Sequence, residues 1–156
     1  MPGIAGIISR TPPQESQEIV KAMLGTLQRN EPFQSATFSA SKFGVYAASV
    51  AHKGSFAAAQ PFRCDDQKVT ILISGECFDD FSPGTADVGS NPETRTGEWM
   101  TQLYAKFGEG MFERINGMFS GLLIDEREGK AFLFNDRYGS ERLYWHQSSD
   151  AFYFAS

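Results

Sequence analysis

Near the start of the chain, a short run of apolar and mostly branched residues, Ile4-Ala5-Gly6-Ile7-Ile8, limits the folds that the sequence can adopt. Apolar residues at consecutive positions occupy both faces of a strand, so such a strand belongs in a sheet that is covered on both sides. The prolines of Thr11-Pro12-Pro13 end the run, because proline cannot donate to a strand ladder. The sequence therefore predicts a central, buried strand over residues 3–8.

Two segments have apolar residues at helical spacing, and each has one apolar stripe. The first covers residues 15–29 and is ended by Asn30 and Pro32, and the second begins at Pro92 and ends before Gly108. The stripes consist of Ile19, Val20, Met23, Leu24 and Leu27 in the first helix, and of Trp99, Met100, Leu103, Tyr104 and Phe107 in the second. Each helix is expected to cover one face of a sheet.

Short apolar segments between turn residues predict the remaining strands. They cover residues 35–40, 43–50, 68–74, 118–125, 131–135, 143–146 and 151–155, and a polar, Gly-rich loop covers 81–91. The strands of the second half are predicted to form a β-meander. Strands with apolar residues on both faces, together with one-sided helices, predict an α+β fold of sheets packed face to face with helices outside.

Length and charge narrow the classes of function. The chain of 156 residues is predicted to form one domain, residues 1–156. Its 14 basic and 19 acidic residues give a net charge of -5 without a basic cluster, which disfavours a nucleic-acid partner. No apolar run approaches the roughly 20 residues that span a bilayer, and no secretory signal precedes the first strand. We therefore expect a cytoplasmic protein without a membrane partner.

The two cysteines, Cys64 and Cys77, have neither paired spacing nor nearby histidines. A zinc site and a disulfide framework are therefore not indicated. We interpret both as reduced, structural thiols and expect no metal in this chain.

Three segments carry a resemblance to a known family. They are Gly3-Ile4-Ala5-Gly6-Ile7, Ser74-Gly75-Glu76-Cys77-Phe78, and Asn135-Asp136-Arg137-Tyr138-Gly139 followed by Leu143-Tyr144. Supporting matches are Ala59-Gln60-Pro61-Phe62, Asn116-Gly117-Met118-Phe119 and Phe154-Ala155-Ser156. In order and spacing they resemble the N-terminal glutaminase domain of asparagine synthetase B-like proteins, a class II glutamine amidotransferase. The resemblance implies a four-layer α-β-β-α sandwich of the N-terminal-nucleophile hydrolase type, with the first strand placing residue 2 in a cleft.

The resemblance also implies which residue should be the nucleophile. In such enzymes a cysteine exposed by removal of the initiator methionine attacks the glutamine carboxamide, with its own α-amine as base. Pro2 occupies this position here and has no nucleophilic side chain. We therefore expect no glutamine hydrolysis by the family route.

The residues that the resemblance assigns to the glutamine pocket are Ser49, Val50, Ser74, Gly75, Glu76 and Thr96. Ser49 stands where the family has the arginine that binds the substrate carboxylate, and Ser74 where it has the oxyanion-hole asparagine. Gly75 keeps the backbone N–H that is the other oxyanion donor. Thr96 stands near the family's carboxylate for the substrate α-amine, with Glu98 as an alternative. The family's Arg-Gly-Pro-Asp loop has become Asn30-Glu31-Pro32-Phe33.

Several retained or suggestive residues also have a structural interpretation, which we favour. Gly75 suits a turn that leaves no room for a Cβ, and Asp136 with Arg137 suits a structural turn pair. His52 and His146 are interpreted as exposed side chains rather than ligand-binding residues.

The expected function follows from the resemblance and the missing nucleophile. We expect a structural and docking domain for an ATP-dependent, amide-forming synthetase domain, which would follow this chain and would alone use ATP and Mg. A second copy of the chain is the other expected partner. The surface that faces the partner should include some of five aromatic residues, Phe132, Phe134, Tyr144, Trp145 and Phe152. The alternatives are an enzyme that uses Pro2 as a base and a domain of an asparagine synthase that still binds glutamine.

Overall fold

The computed structural model describes residues 2–28, 33–55, 57–58, 60–66, 68–78 and 92–156, with only the backbone of 92–98. The predicted loop at 81–91 lies outside the described residues, as do Asn30, Glu31, Pro32 and Ala59. No helix within the described part of the chain is long and apolar enough to span a membrane.

Two α-helices, nine strands and two short 3-10 helices make up the described fold. The α-helices are α1 (Pro13–Leu27) and α2 (Pro92–Phe107). The strands are β1 (Gly3–Ser9), β2 (Phe33–Ala40), β3 (Val45–His52), β4 (Phe62–Cys64), β5 (Val69–Cys77), β6 (Gly117–Asp125), β7 (Lys130–Asn135), β8 (Tyr144–Gln147) and β9 (Ala151–Ala155). Every predicted helix and strand is present, the strand at 151–155 with the predicted ends and the others with shifted ends, and β4 is an additional strand.

The helix ends follow from local chemistry. Pro13 takes the first turn of α1, where its missing N–H costs nothing. The hydroxyls of Ser9, Thr11 and Ser16 bond one another at 2.6–2.9 Å and join the end of β1 to this turn. Gly108 follows α2 with a φ of 55°, as its predicted role as a C-terminal cap requires.

The strands form two antiparallel sheets. The five-stranded sheet has the order β2-β3-β1-β9-β8, and the four-stranded sheet has the order β4-β5-β6-β7. The prediction that the first strand lies centrally is confirmed, since β1 pairs with β3 on one side and β9 on the other. The predicted β-meander is wrong, because the chain leaves one sheet after β7 and joins the other at β8.

Successive side chains of a strand point to opposite faces, so the apolar residues form three hydrophobic core layers. Ile7, Tyr46 and Ala48 pack against Val20 of α1. Ile4, Ala47, Leu72, Leu122 and Phe154 point to the other side and fill the space between the two sheets. Ile71, Ile73 and Leu123 pack with Met100 and Tyr104 of α2. The result is a mixed α/β fold in which two stacked sheets lie between two helices, as the strand pattern predicts.

Both cysteines are free and half-buried, as expected.

Candidate functional site

A cleft of about 530 Å³ opens where five segments end on one side of the stacked sheets. The segments are the start of β1, the end of β5, the start of β6, the turn before β8 and the residue after β9. The lining residues are Pro2, Ser74, Gly75, Glu76, Phe78, Met118, Glu141, Arg142, Tyr144 and Ser156. The cleft therefore contains the predicted nucleophile position and three of the predicted pocket residues.

The first and last strands bring Pro2 and Ser156 to this cleft. The backbone N–H of Ser156 donates to the carbonyl oxygen of Ile4 at 2.9 Å, and the N–H of Ile4 donates to Ser156 Oγ at 2.9 Å. These bonds continue the β1–β9 ladder to the residue next to the cleft. Pro2 precedes β1 and is exposed, so its ring is accessible from the cleft.

Gly75 has a steric reason to be glycine. Its φ is 106°, a region that other residues rarely adopt, and a Cβ at this position would collide with the carbonyl oxygen of Met118. The close approach keeps β5 and β6 paired at Gly75, opposite Phe119, beside the cleft. The structural interpretation of Gly75 is thereby supported.

Ser74 lies on the inter-sheet face of β5, directly opposite Ser120 of β6. Both are buried, since they share their faces with Leu72 and Leu122 respectively. The hydroxyl oxygen of Ser120 has no hydrogen-bond partner among the described residues. The sequence analysis did not identify Ser120, although its position two residues before the buried Leu122 places it on the same face.

Two of the other predicted pocket residues, Ser49 and Val50, lie in β3. Ser49 is 2% exposed in β3 and lies opposite Ile4, and Val50 is 1% exposed and lies opposite Gly3. Neither residue lines the cleft. The side chains of Thr96 and Glu98 lie outside the described residues.

Gln60 supports the strand that carries Ser74. Its Oε1 accepts a hydrogen bond from the N–H of Ile73 at 2.5 Å, and its Nε2 donates to the carbonyl oxygens of Ile73 at 2.6 Å and Ala57 at 2.7 Å. In this arrangement the buried side-chain amide makes the two hydrogen bonds that a neighbouring strand would otherwise make with the backbone of Ile73. The sequence analysis included Gln60 only as part of a matching segment, because a tertiary contact of this kind leaves no pattern in the sequence.

Asp136 organises the turn that reaches the cleft. Its carboxylate accepts hydrogen bonds from the backbone N–H groups of Tyr138, Ser140 and Glu141 at 2.9–3.0 Å. Burial acts to raise the pKa of Asp136, but the backbone N–H groups outweigh it and lower the pKa overall. The carboxylate therefore stabilises the turn that leads to Glu141 and Arg142, which confirms a structural role for Asp136.

The two histidines lie on exposed strand surfaces. His52 packs against Phe33 with the rings tilted and their centroids 4.8 Å apart, and His146 stacks on Tyr153 at 6.1 Å. Neither histidine lines the cleft. The interpretation of both as exposed side chains is confirmed.

The cleft combines an apolar rim with a few charged groups. Phe78, Met118 and Tyr144 are 54%, 47% and 60% exposed. Glu76, Glu141 and Arg142 supply the charges. The described lining residues include two serines, Ser74 and Ser156, but no cysteine, lysine or histidine.

Comparison with known proteins adds an independent observation. A family model described as a glutamine amidotransferase domain matches residues 1–156. Asparagine synthetase [glutamine-hydrolyzing] 2 of Bacillus subtilis (strain 168) is 27% identical over 161 aligned positions, which cover 100% of this chain and 21% of that protein. Asparagine synthetase [glutamine-hydrolyzing] of Triphysaria versicolor is 28% identical over 88 residues, covering 54% of this chain and 15% of that protein. The chain thus spans about a fifth of the Bacillus subtilis protein.

Proposed function

Because this chain belongs to the family of asparagine synthetase-like glutamine amidotransferase domains, we propose that it is a member without glutaminase activity that serves as a structural and docking domain for a synthetase. One observation carries the proposal. Pro2, which the resemblance aligns with the family's nucleophilic cysteine, lies in the same cleft as Ser74 and Gly75. The cleft is therefore present at the place where the reaction would occur, and the reacting side chain is absent from it.

Glutamine hydrolysis by this route needs a nucleophile, an oxyanion hole and a group that holds the substrate carboxylate. Pro2 supplies no thiol, and Ser74 offers a hydroxyl where the family has a longer amide. Ser49 carries no charge, is buried in β3 and is not among the residues that line the cleft. On this assignment the nucleophile is absent, and the oxyanion hole and the carboxylate-binding group are weaker than in the family. The central β1 and the stacked sheets support assignment to the N-terminal-nucleophile hydrolase fold type.

The rim of the cleft supports a docking role. Phe78, Met118 and Tyr144 are 54%, 47% and 60% exposed, which is unusual for large apolar side chains. Of the five aromatic residues expected on the docking surface, Tyr144 and Trp145 are exposed, while Phe132 and Phe152 are only partly buried. Phe134 is buried against α2 and contributes nothing to such a surface. We assign the docking surface to the cleft rim.

The proposed partner is an ATP-dependent domain that forms amides with an amine from a source other than glutamine. The greater length of the relatives supports this, since the chain matches 21% of the Bacillus subtilis protein. ATP and Mg would be bound by that partner domain. Reading the coding sequence beyond Ser156 and in adjacent genes tests this part, and we expect an adenylating synthetase domain there.

The test of inactivity is ammonia release from glutamine by the purified chain, with the Bacillus subtilis relative as positive control. We expect no release above the uncatalysed background. The alternative is a domain that still binds glutamine without hydrolysing it. NMR titration of the chain with glutamine tests this alternative, because binding would shift the amide signals of Ser74 and Gly75. Steady ammonia production by the unmodified chain would refute the proposal.

Exposure of Pro2 in the cleft favours one other candidate, an enzyme that uses a secondary amine at the N-terminus as a base. Glu76 and Glu141 would be its nearest acids in the cleft lining. This function requires removal of Met1. Intact-mass measurement that finds Met1 retained eliminates it.

A further inference from the structure

A second cavity lies on the outer face of the five-stranded sheet, beside α1, and is a crevice of about 250 Å³. α1 packs on β1 and β3 through Val20, which shares a core cluster with Ile7 and Tyr46. β2 is the edge strand next to β3, and its residues Thr37 and Ser39 remain exposed. The step between the helix and this edge strand leaves the space of the crevice. The crevice shares no lining residue with the cleft described above.

Polar side chains from β2 and α1 form the two walls of the crevice. Phe38 points into the core between the sheets, so Thr37 and Ser39 on either side of it point to the face that carries α1. Gln17 and Lys21 are four positions apart in α1 and therefore lie on one face of the helix. All four polar residues line the crevice. Hydrogen-bond donors thus border it on both sides.

Tyr46 of β3 lies between these walls and also lines the crevice. It is 2% exposed and belongs to the core beneath α1. Its hydroxyl forms no hydrogen bond with another residue in the described part of the chain. Side-chain polar groups of buried residues nearly always have a hydrogen-bond partner. A ligand oxygen in the crevice would supply an acceptor for this hydroxyl.

The charge of the crevice is positive. Lys21 is the only charged residue among the described residues that line it, and no carboxylate lines it. Lys21 forms no ion pair with another described residue. Glu15 and Glu18 belong to the same helix but are not among the lining residues. An anion in the crevice would therefore meet the ammonium group without displacing a carboxylate from it.

We propose that this crevice binds a phosphate group, with Lys21 as the counter-charge and the hydroxyls of Thr37, Ser39 and Tyr46 and the amide of Gln17 as hydrogen-bond donors. A phosphate has more acceptor oxygens than a carboxylate and therefore matches donors on two walls and the floor at once. The group belongs either to free phosphate or to a small phosphomonoester. The inference does not depend on the proposed function, since it involves no residue of the cleft.

NMR titration of the purified chain with inorganic phosphate, at an ionic strength held constant with chloride, tests the site. The amide signals of Thr37, Ser39 and Tyr46 should shift together and saturate with one dissociation constant. Glycerol phosphate in a second titration distinguishes the sources, because only a site for phosphomonoesters binds it as well as free phosphate. Acetate in a third titration should cause no saturable shift, since a carboxylate leaves several donors unpaired.

Three variants test the assigned residues. Lys21→Gln and Tyr46→Phe should each weaken phosphate binding about tenfold, because each removes one donor to a charged group. Tyr46→Phe keeps the buried ring and should leave the melting temperature within a few degrees. The matched control Lys42→Gln, at an exposed lysine outside the crevice, should bind as the unmodified chain does. Shifts that do not saturate, which indicate an adventitious ion only, unchanged binding by Lys21→Gln or Tyr46→Phe, or saturable binding of acetate would each overturn the proposal.

Discussion

The side-chain amide of Gln60 pairs with both backbone polar groups of Ile73, accepting from its N–H at 2.5 Å and donating to its carbonyl oxygen at 2.6 Å. Ile73 immediately precedes Ser74 in β5, so this pair supports the strand at the point where it enters the cleft. The amide is buried, and water cannot readily replace it.

Replacing Gln60 by leucine should lower the free energy of unfolding by about 2–4 kcal/mol, because two buried backbone groups of Ile73 lose their partner. Gln60→Glu should also destabilise, since a carboxylate cannot donate to the two carbonyl oxygens. Urea unfolding at neutral pH measures both. Gln34→Leu, on the exposed face of β2, is the matched control and should change stability by less than about 0.5 kcal/mol. An equally small effect of Gln60→Leu would contradict the structural role.

Pro2→Cys alone should restore little glutaminase activity. Loss of one oxyanion donor typically costs a factor of about 10² to 10³ in rate, and Ser49 has no charge where the resemblance implies the carboxylate-binding arginine. Ammonia release is the measurement, after intact mass has shown that Met1 is removed. The double variant Pro2→Cys with Ser74→Asn should exceed the single variant. High activity of the single variant would show that substrate recognition is intact.

Asp125 should contribute to the pH dependence of the free energy of unfolding under acidic conditions. The hydrogen bond from Arg127 is the largest cause that lowers the pKa of Asp125, from 3.8 to about 2, against an opposing effect of burial. The guanidinium lies 2.8 Å from the carboxylate. Because the pKa is lower in the folded chain, ionised Asp125 stabilises the folded state at a pH above its pKa in the unfolded chain. This stabilisation is lost as the pH falls through about 2.

The pKa difference of Asp125 corresponds to about 2 kcal/mol of this pH-dependent stability. Urea unfolding between pH 2 and 5 should therefore show a smaller loss of stability for Asp125→Asn than for the unmodified chain. Asp150→Asn, at an exposed turn, should follow the unmodified chain. Identical pH profiles for all three proteins would argue against the ion pair.

Ser120→Ala should leave the protein as stable as before or more stable, by up to about 1 kcal/mol. The hydroxyl of Ser120 is fully buried without a hydrogen-bond partner among the described residues. Removing it therefore removes the free-energy cost of burying an unpaired polar group. Thermal unfolding measures the change. The change in stability is compared with that of Ser74→Ala, at the paired position on the neighbouring strand β5. A loss above about 1 kcal/mol in Ser120→Ala would mean that a buried water satisfies this hydroxyl.

The layered fold was predictable from the sequence because burial on two faces leaves a visible pattern. Ile4 and Ile7 fill opposite faces of one strand, and the spacing of Val20 and Met100 within their helices indicates one buried side. β4 was missed, since the three residues Phe62–Cys64 are too few for alternation to be recognised.

The sequence by itself determined the strand and helix segments, the family resemblance and the absence of a nucleophilic side chain at residue 2, because each depends on residue identity and local spacing. Only the tertiary structure decided that β7 and β8 lie in different sheets and that Ser49 is buried while Ser74 reaches the cleft. It also decided the pairing of Gln60 with Ile73 and of Ser74 with Ser120. Sheet register and side-chain contacts between distant segments depend on how the layers close on one another, and no local pattern records that geometry.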